Sequence, residues 1–238
     1  MIEIQGLTVR FGGVTPIQDM DLVFPGGTCG LIGPNGAGKT TFFNVLCGLV
    51  QPASGRLSAF GQDLLGMPGY RRARWGLRRT FQTEQAIEAL SVYDNVAMVH
   101  EHTGGRRSQR RAEVLVALDF VGLTIPSAAP VATLGSRDRR LVELARAVVG
   151  EPKVVLLDEP AAGLPDEETA HLAAVIRGIP EALGALTVLV DHDMSLVSEC
   201  CDITAVLDFG RLIAVGPTPE VLRNDDVIRA YLGTEEVA

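Results

Sequence analysis

Nine consecutive residues, Gly33-Pro34-Asn35-Gly36-Ala37-Gly38-Lys39-Thr40-Thr41, carry the densest chemistry in this chain of 238 residues. Glycines at 33, 36 and 38 let successive backbone N–H groups curl around an anion with no Cβ in the way. Lys39 adds an ammonium for the outer phosphates, and Thr40 adds a hydroxyl of the kind that a hard divalent cation takes as ligand. The order G-x-x-x-x-G-K-T is that of a loop gripping the phosphates of a nucleoside triphosphate, so residues 33–41 are expected to bind ATP or GTP with Mg2+. An apolar run, Gly30-Leu31-Ile32, precedes the loop, and a helical pattern, Thr41 to Leu49, follows it. That strand-loop-helix setting aims the positive end of the helix dipole at the same phosphates.

A second cluster stands at the end of Val154-Val155-Leu156-Leu157-Asp158-Glu159, an apolar strand delivering two carboxylates at its C-terminal end, where α/β folds place ligands. Side chains alternate along a strand, so the two acids divide the work. Asp158 is suited to hold magnesium through water, and Glu159 to polarise the water that attacks the γ-phosphate.

The elements that must position these groups read as a parallel α/β core. Residues 2–10 alternate like a strand, 22–24 and 28–32 continue the β pattern, and 55–60 repeats it. Residues 85–121 read as predominantly helical and end at Gly122. Beyond them, helices over 139–149 and 167–179 alternate with buried strands over 154–157 and 187–190. A hairpin turns at Gly210-Arg211, and a helical tail runs from Pro219 to Leu232.

Composition bounds the class. With 47% hydrophobic residues the chain can build a substantial core, and it contains no run of about eighteen uncharged apolar residues. It shows no basic-then-apolar leader pattern, so it is expected to stay where it is made. Cys29, Cys47, Cys200 and Cys201 lack metal-ligand spacing and read as reduced, mostly buried thiols. A net charge of -8 argues against nucleic acid as a partner. Two arginine groups, at 71, 72, 74, 78, 79 and at 106, 107, 110, 111, read as solvated helix faces, with lipid headgroups or an acidic partner as alternatives. A guanine-reading Asn-Lys-x-Asp run is absent, which points to adenine rather than guanine.

Taken together, these motifs resemble the ATP-binding subunits of ABC transporters over essentially the whole chain. The resemblance implies a single domain over 1–238, with a RecA-like core at 1–83 and 150–238, an N-terminal antiparallel β subdomain and an inserted helical subdomain at 84–149. It implies that Phe11 stacks on adenine, that Gln82 in Arg79-Thr80-Phe81-Gln82 senses magnesium and γ-phosphate, and that His192 in Asp191-His192-Asp193-Met194 is the switch histidine. Two subunits would then sandwich two ATP molecules head to tail, and closure would move a membrane partner. Residues 79–82, 91–96, 159–164 and the ending 227–233 resemble the ATPase of branched-chain amino acid importers, with urea or amide importers and a lipopolysaccharide exporter as cousins. A nucleotide-dependent docking switch without transport is the alternative from a different class.

The resemblance breaks at two places. Where the family carries Leu-Ser-x-Gly-Gln, this chain has Leu134-Gly135-Ser136-Arg137-Asp138, and where Asp or Asn follows Gly-Leu it has Pro165. Both elements act on the partner's nucleotide, while every residue that acts on the chain's own nucleotide is intact. The expectation is an asymmetric heterodimer with a second ATP-binding subunit, rather than a homodimer. Both would sit peripherally on the cytoplasmic face of the membrane against transmembrane permease subunits, with a solute-binding protein as an indirect partner. Residues 83–90 would contact the permease.

Overall fold

A strand that is apolar without alternation must be covered on both faces, and the three strands nearest the chemistry obey this rule. β3 (Thr28–Ile32), β7 (Val154–Asp158) and β8 (Leu186–Val190) are buried at every position. The computed structural model describes residues 1–232. Among them, β3, β8 and β7 form the middle of a six-stranded sheet completed by β6 (Leu77–Arg79), β9 (Ile203–Asp208) and β10 (Arg211–Pro217), in the order β10-β9-β3-β8-β7-β6. β6, β7, β8, β3 and β9 run parallel, and only β10 is antiparallel. A second, antiparallel sheet of order β2-β1-β4-β5 is made by β1 (Ile2–Phe11), β2 (Val14–Phe24), β4 (Ser54–Ala59) and β5 (Gln62–Asp63).

One core lies between the two sheets and around α1 (Lys39–Cys47), with Phe24, Phe42, Phe43, Leu31 and Leu156 fully buried in it. The other lies on the opposite face of the parallel sheet, where α5 (Ser136–Val148), α6 (Asp166–Leu183) and α7 (Met194–Cys200) pack over Val155, Leu157 and Leu189. The same cluster takes in α3 (Val92–His102) and α4 (Arg110–Phe120). The four cysteines are free thiols.

Several expectations need correction. The continuous helical middle divides into α3 and α4, and residues 83–90 are irregular. Ser91 is the reason for the late start, because its hydroxyl accepts the Asp94 N–H at 3.0 Å and caps α3. Buried Asn95 holds the chain before it, accepting from Ile87 N at 2.8 Å and donating to Ile87 O at 3.0 Å. The closing tail is two helices, α8 (Thr218–Val221) and α9 (Asp225–Leu232), separated by residues 222–224. α6 runs past the predicted end at 179 through Pro180 to Leu183, where Gly184 adopts a left-handed cap. Arg72, Arg78 and Arg79 are no solvated face. Arg72, on α2 (Gly69–Trp75), is fully buried and donates to the carbonyls of Val45 at 2.5 Å, Leu46 at 2.8 Å and Met67 at 2.9 Å. Its guanidinium supplements the Gly48 N–H at Val45 O and supplies a donor to Leu46 O at the end of α1, where carbonyls run out of helical partners. The second arginine group, by contrast, is mostly exposed, as expected.

Candidate nucleotide and metal site

Four neighbouring strands, β6, β7, β8 and β3, end on the same side of the sheet, and each carries one of the predicted groups just past its C-terminus. β3 leads into the Gly-rich loop, β7 ends in Asp158-Glu159, β8 leads into Asp191-His192, and β6 leads through Arg79 to Gln82. The parallel order therefore assembles in space what the sequence scatters over 160 positions.

Inside the loop, Gly33, Gly36 and Gly38 have φ of 147°, 79° and 111°, conformations that side chains resist. A Cβ on Gly38 would collide with the Pro16 carbonyl oxygen, and one on Gly33 with the Leu207 carbonyl oxygen, whereas Gly36 faces open space. Pro34, Asn35 and Ala37 complete the turn, closed by Ala37 N donating to Pro34 O at 3.1 Å. The loop is braced from outside. Gly210 N donates to Ala37 O at 3.0 Å, and Gln18 N donates to Gly210 O at 2.8 Å, which ties the β1–β2 hairpin to the loop. That hairpin carries Phe11, half exposed and paired with Val14 at its end.

Lys39 folds back over the loop and donates from Nζ to the carbonyls of Gly33 at 2.5 Å and Pro34 at 2.9 Å. Burial draws its pKa below the ordinary lysine value, opposed by the charges of Glu159 and Asp158. α1 begins with no acidic residue in its first turn and no side-chain cap, so Lys39, Thr40 and Thr41 stand at a helix end whose N–H groups remain available for phosphate.

Asp158 is almost wholly buried and sits in a rigid frame. Arg79 Nη2 donates to its Oδ2 at 2.8 Å, and Arg79 Nη1 donates to Asn44 Oδ1 at 2.7 Å. The guanidinium also lies over the rings of Phe43 and Phe81, at 5.4 Å and 4.8 Å from their centroids. Backbone N–H of Asp158 donates to Thr80 Oγ1 at 3.2 Å. Glu159 has φ of 47°, the left-handed region that a Cβ makes unfavourable. It is held there by its N–H donating to Val190 O at 2.8 Å and by Ala162 N donating to its carbonyl at 3.2 Å. Gln82 Nε2 donates to Glu159 Oε2 at 2.8 Å, which leaves the Gln82 amide oxygen as an acceptor. His192 is largely exposed, with Nδ1 3.9 Å from Glu159 Oε2 and 3.7 Å from Asp191 Oδ1.

Sequence reasoning passed over two residues that the geometry brings into the site. Arg79 reads in the sequence as part of a basic face, although its position three residues before Gln82 puts it beside the strand that ends in Asp158. Asp191 is buried, and its Oδ1 accepts from the backbone N–H of His192 at 2.8 Å and of Asp193 at 3.0 Å, fixing the turn that carries His192. Burial pushes the Asp191 carboxyl above the usual aspartate range.

The segment 134–138 lies apart, at the start of α5, with Gly135 as a cap residue that offers no side-chain acceptor. Arg137 and Asp138 pair with each other at 3.2 Å, and Ser136 is exposed. Pro165 takes the corresponding place at the start of α6, before Asp166, Glu167 and Glu168.

Comparison with known proteins gives the family and the fold. Residues 18–162 match the family described as ABC transporter, and residues 211–237 match the branched-chain amino acid ATP-binding cassette transporter family. The chain belongs to the ABC transporter ATPases. This ABC ATPase is 38% identical over 250 residues to the high-affinity branched-chain amino acid transport ATP-binding protein BraF of Pseudomonas aeruginosa, covering 98% of each chain. It is also 38% identical over 251 residues to LivG of Escherichia coli, again covering 98% of each. Among solved structures, the ADP conformation of MJ1267, an ATP-binding cassette of an ABC transporter, superposes with a TM-score of 0.87 at 23% identity over 98% of both chains. CbiO1 from Clostridium perfringens superposes with a TM-score of 0.85 at 26% identity, over 96% of this chain and 92% of that one. The fold is thus the P-loop ABC type, and the chain is an ATPase. Among the described residues no helix is long and apolar enough to cross a membrane. Gly233, the last residue of the ending noted above, lies outside the described residues.

Proposed function

We propose that this ATPase drives import of branched-chain amino acids, working peripherally on the cytoplasmic side of permease subunits that a solute-binding protein loads. The similarity to BraF and LivG over almost the full chain supports the cargo. The single observation that carries catalysis is the convergence of the Gly33–Thr41 loop, Asp158, Glu159, Gln82 and His192 at the C-terminal ends of β3, β6, β7 and β8. Residues 84–149 act as the helical subdomain.

The donor set fits magnesium, which prefers oxygen and shares its coordination with nucleotide phosphates. Thr40 hydroxyl, Asp158 carboxylate and the free Gln82 amide oxygen would hold it, and when bound it supplies charge neutralisation on the β- and γ-phosphates. The chain's own residues do the rest. Backbone amides of 36–41 bind the phosphates, Lys39 exchanges its two carbonyl contacts for phosphate oxygens, and Phe11 offers a ring to adenine. Glu159 accepts the proton of the attacking water, and His192 approaches the γ-phosphate from the β8 side.

The second ATP-binding subunit is a different chain carrying an intact Leu-Ser-x-Gly-Gln. Gly135 cannot donate a hydroxyl hydrogen bond, Arg137 is spent on Asp138, and Pro165 has no N–H. Each missing hydrogen bond to charged phosphate removes about 1.5–3 kcal/mol, so the composite site using 134–138 turns over slowly. The exposed Ser136 in the first turn of α5 favours a second reading, in which that hydroxyl replaces the missing serine and both sites work. Glu159→Gln in this chain and the matching glutamate substitution in the partner, tested separately in the mixed complex, decide between them. The asymmetric reading expects turnover to collapse for Glu159→Gln and to persist for the other; equal losses reject it.

A further inference from the structure

At the opposite ends of the same strands lies a cavity of about 620 Å3, bounded by α2, the turn from α3 to α4, and the start of β7. Arg74, Arg78, Arg106 and Lys153 line it, against the two acids Glu113 and Glu151. Glu113 is already engaged, its Oε2 2.9 Å from His100 Nε2. Among the described residues none of the four cations has a carboxylate at ion-pair distance. Lys153 lies five residues before Asp158 on one extended strand, about 16 Å away at the usual strand rise. The cavity is therefore separate from the nucleotide site.

Arg78 makes the arrangement unusual. It is 7% exposed, its Nη1 donates to the carbonyls of Ala73 and Leu77, and its Nε has no hydrogen-bond partner. Burial alone draws its pKa down to about 10, with no neighbouring acid to oppose the shift. Buried charge is ordinarily paired, because desolvation without a counter-ion is unfavourable by several kcal/mol. Here a half-enclosed hollow gathers four unpaired cations on a protein whose net charge is -8. A low-dielectric concavity in which cations outnumber acids focuses a net positive field on whatever enters.

We propose that this cavity binds a small, multiply charged anion of the phosphate class, at a site distinct from the nucleotide. Arg78, buried, supplies a fixed donor, Lys153 and Arg106, exposed, supply mobile charges, and Trp75 is part of the lining. Trp75 is the single tryptophan of the chain, and Lys153 Nζ lies 5.1 Å from its ring centroid. An anion that draws Lys153 away must alter the indole environment, so the site carries its own reporter.

The test is a titration of the full chain with inorganic phosphate, followed by Trp75 emission. Saturating ADP fills the loop at 33–41, and sodium chloride holds ionic strength constant. The expected result is a saturable change with phosphate and none with chloride. Lys153→Gln and Arg106→Ser, both at exposed positions, each shift the midpoint upward by at least about tenfold, the loss of one charge-assisted hydrogen bond. A flat titration overturns the proposal, as does a saturable change whose midpoint neither substitution moves. A flat titration in the isolated subunit combined with an emission shift on assembly with the permease assigns the cavity to an acidic protein segment and also overturns it.

Discussion

At the scale of single residues, Glu159 shows function set against backbone preference. Its left-handed φ of 47° is strain of the order of 1 kcal/mol for a residue with a Cβ, and two backbone hydrogen bonds keep it there. Glycine at this position relaxes the strain while removing the carboxylate. Glu159→Gly is therefore expected to melt at or above the wild-type temperature and to lose ATP turnover by about 100-fold to 10,000-fold, read by thermal denaturation and phosphate release. Asp191 makes a second residue-scale prediction. Its folded pKa is raised by burial, so the folded chain holds a proton that the unfolded chain releases. Stability from this group is present below the ordinary aspartate pKa and declines as pH rises through and above it, because the native state then binds more protons than the unfolded one. Asparagine can still accept the N–H groups of His192 and Asp193 but has no charge to bury. Denaturant midpoints of Asp191→Asn measured from pH 4 to 7 should fall less with rising pH than those of wild type. Parallel curves would show that the turn tolerates the ionised form.

At the scale of elements, the decisive device is how α1 is fastened at both ends. Its N-terminus faces the phosphate loop, and its C-terminus gives two carbonyls to the buried Arg72, which sits on α2. Arg72→Leu removes the guanidinium donor from the carbonyls of Leu46 and Met67 and leaves Val45 O with Gly48 N alone. The expected loss is about 3–5 kcal/mol in urea unfolding, the range for stranding buried polar groups. ATP affinity should fall with it, because α1 carries Lys39 and Thr40. This element also marks where the sequence is legible and where it is not. The loop at 33–41 and the strand ending in Asp158-Glu159 are local patterns, each requiring a backbone shape that only a few residues permit, and the strands β3 and β7 and the positive φ of Gly33, Gly36 and Gly38 lie where those patterns put them. Arg72 and Arg79 look like part of a solvated stripe because nothing nearby in sequence reveals that acceptors at 45, 46 and 158, distant along the chain, await them. The late start of α3 was within reach, since Ser91 and Asp94 have the spacing of a reciprocal cap. The clasp between Asn95 and Ile87 was not, because it depends on a buried side chain closing on an irregular segment.

At the scale of the whole molecule, the division between intact and altered residues follows the surfaces they occupy. The strands β3, β6, β7 and β8 deliver the groups expected to serve the chain's own nucleotide, while α5 and α6 begin with the altered residues Gly135, Arg137, Asp138 and Pro165. Folding does not force the alteration. Gly135 has φ of -71°, which any residue adopts, and a Cβ there meets nothing within 4 Å. Arg137 and Asp138 form a partly exposed pair worth little to stability. The double change Gly135→Ser and Arg137→Gly should therefore leave the denaturation midpoint within about 0.5–1 kcal/mol of wild type. Under the asymmetric assembly, the same change raises turnover only at the nucleotide held by the partner subunit. Combined with Glu159→Gln, which silences this chain's own site, the repaired complex should regain hydrolysis by about tenfold or more over Glu159→Gln alone, the equivalent of one restored hydrogen bond to phosphate. If repair adds nothing on that background, Gly135 and Arg137 are not what limits the second site, and the limit lies in Asp138, in Pro165 or in the partner chain.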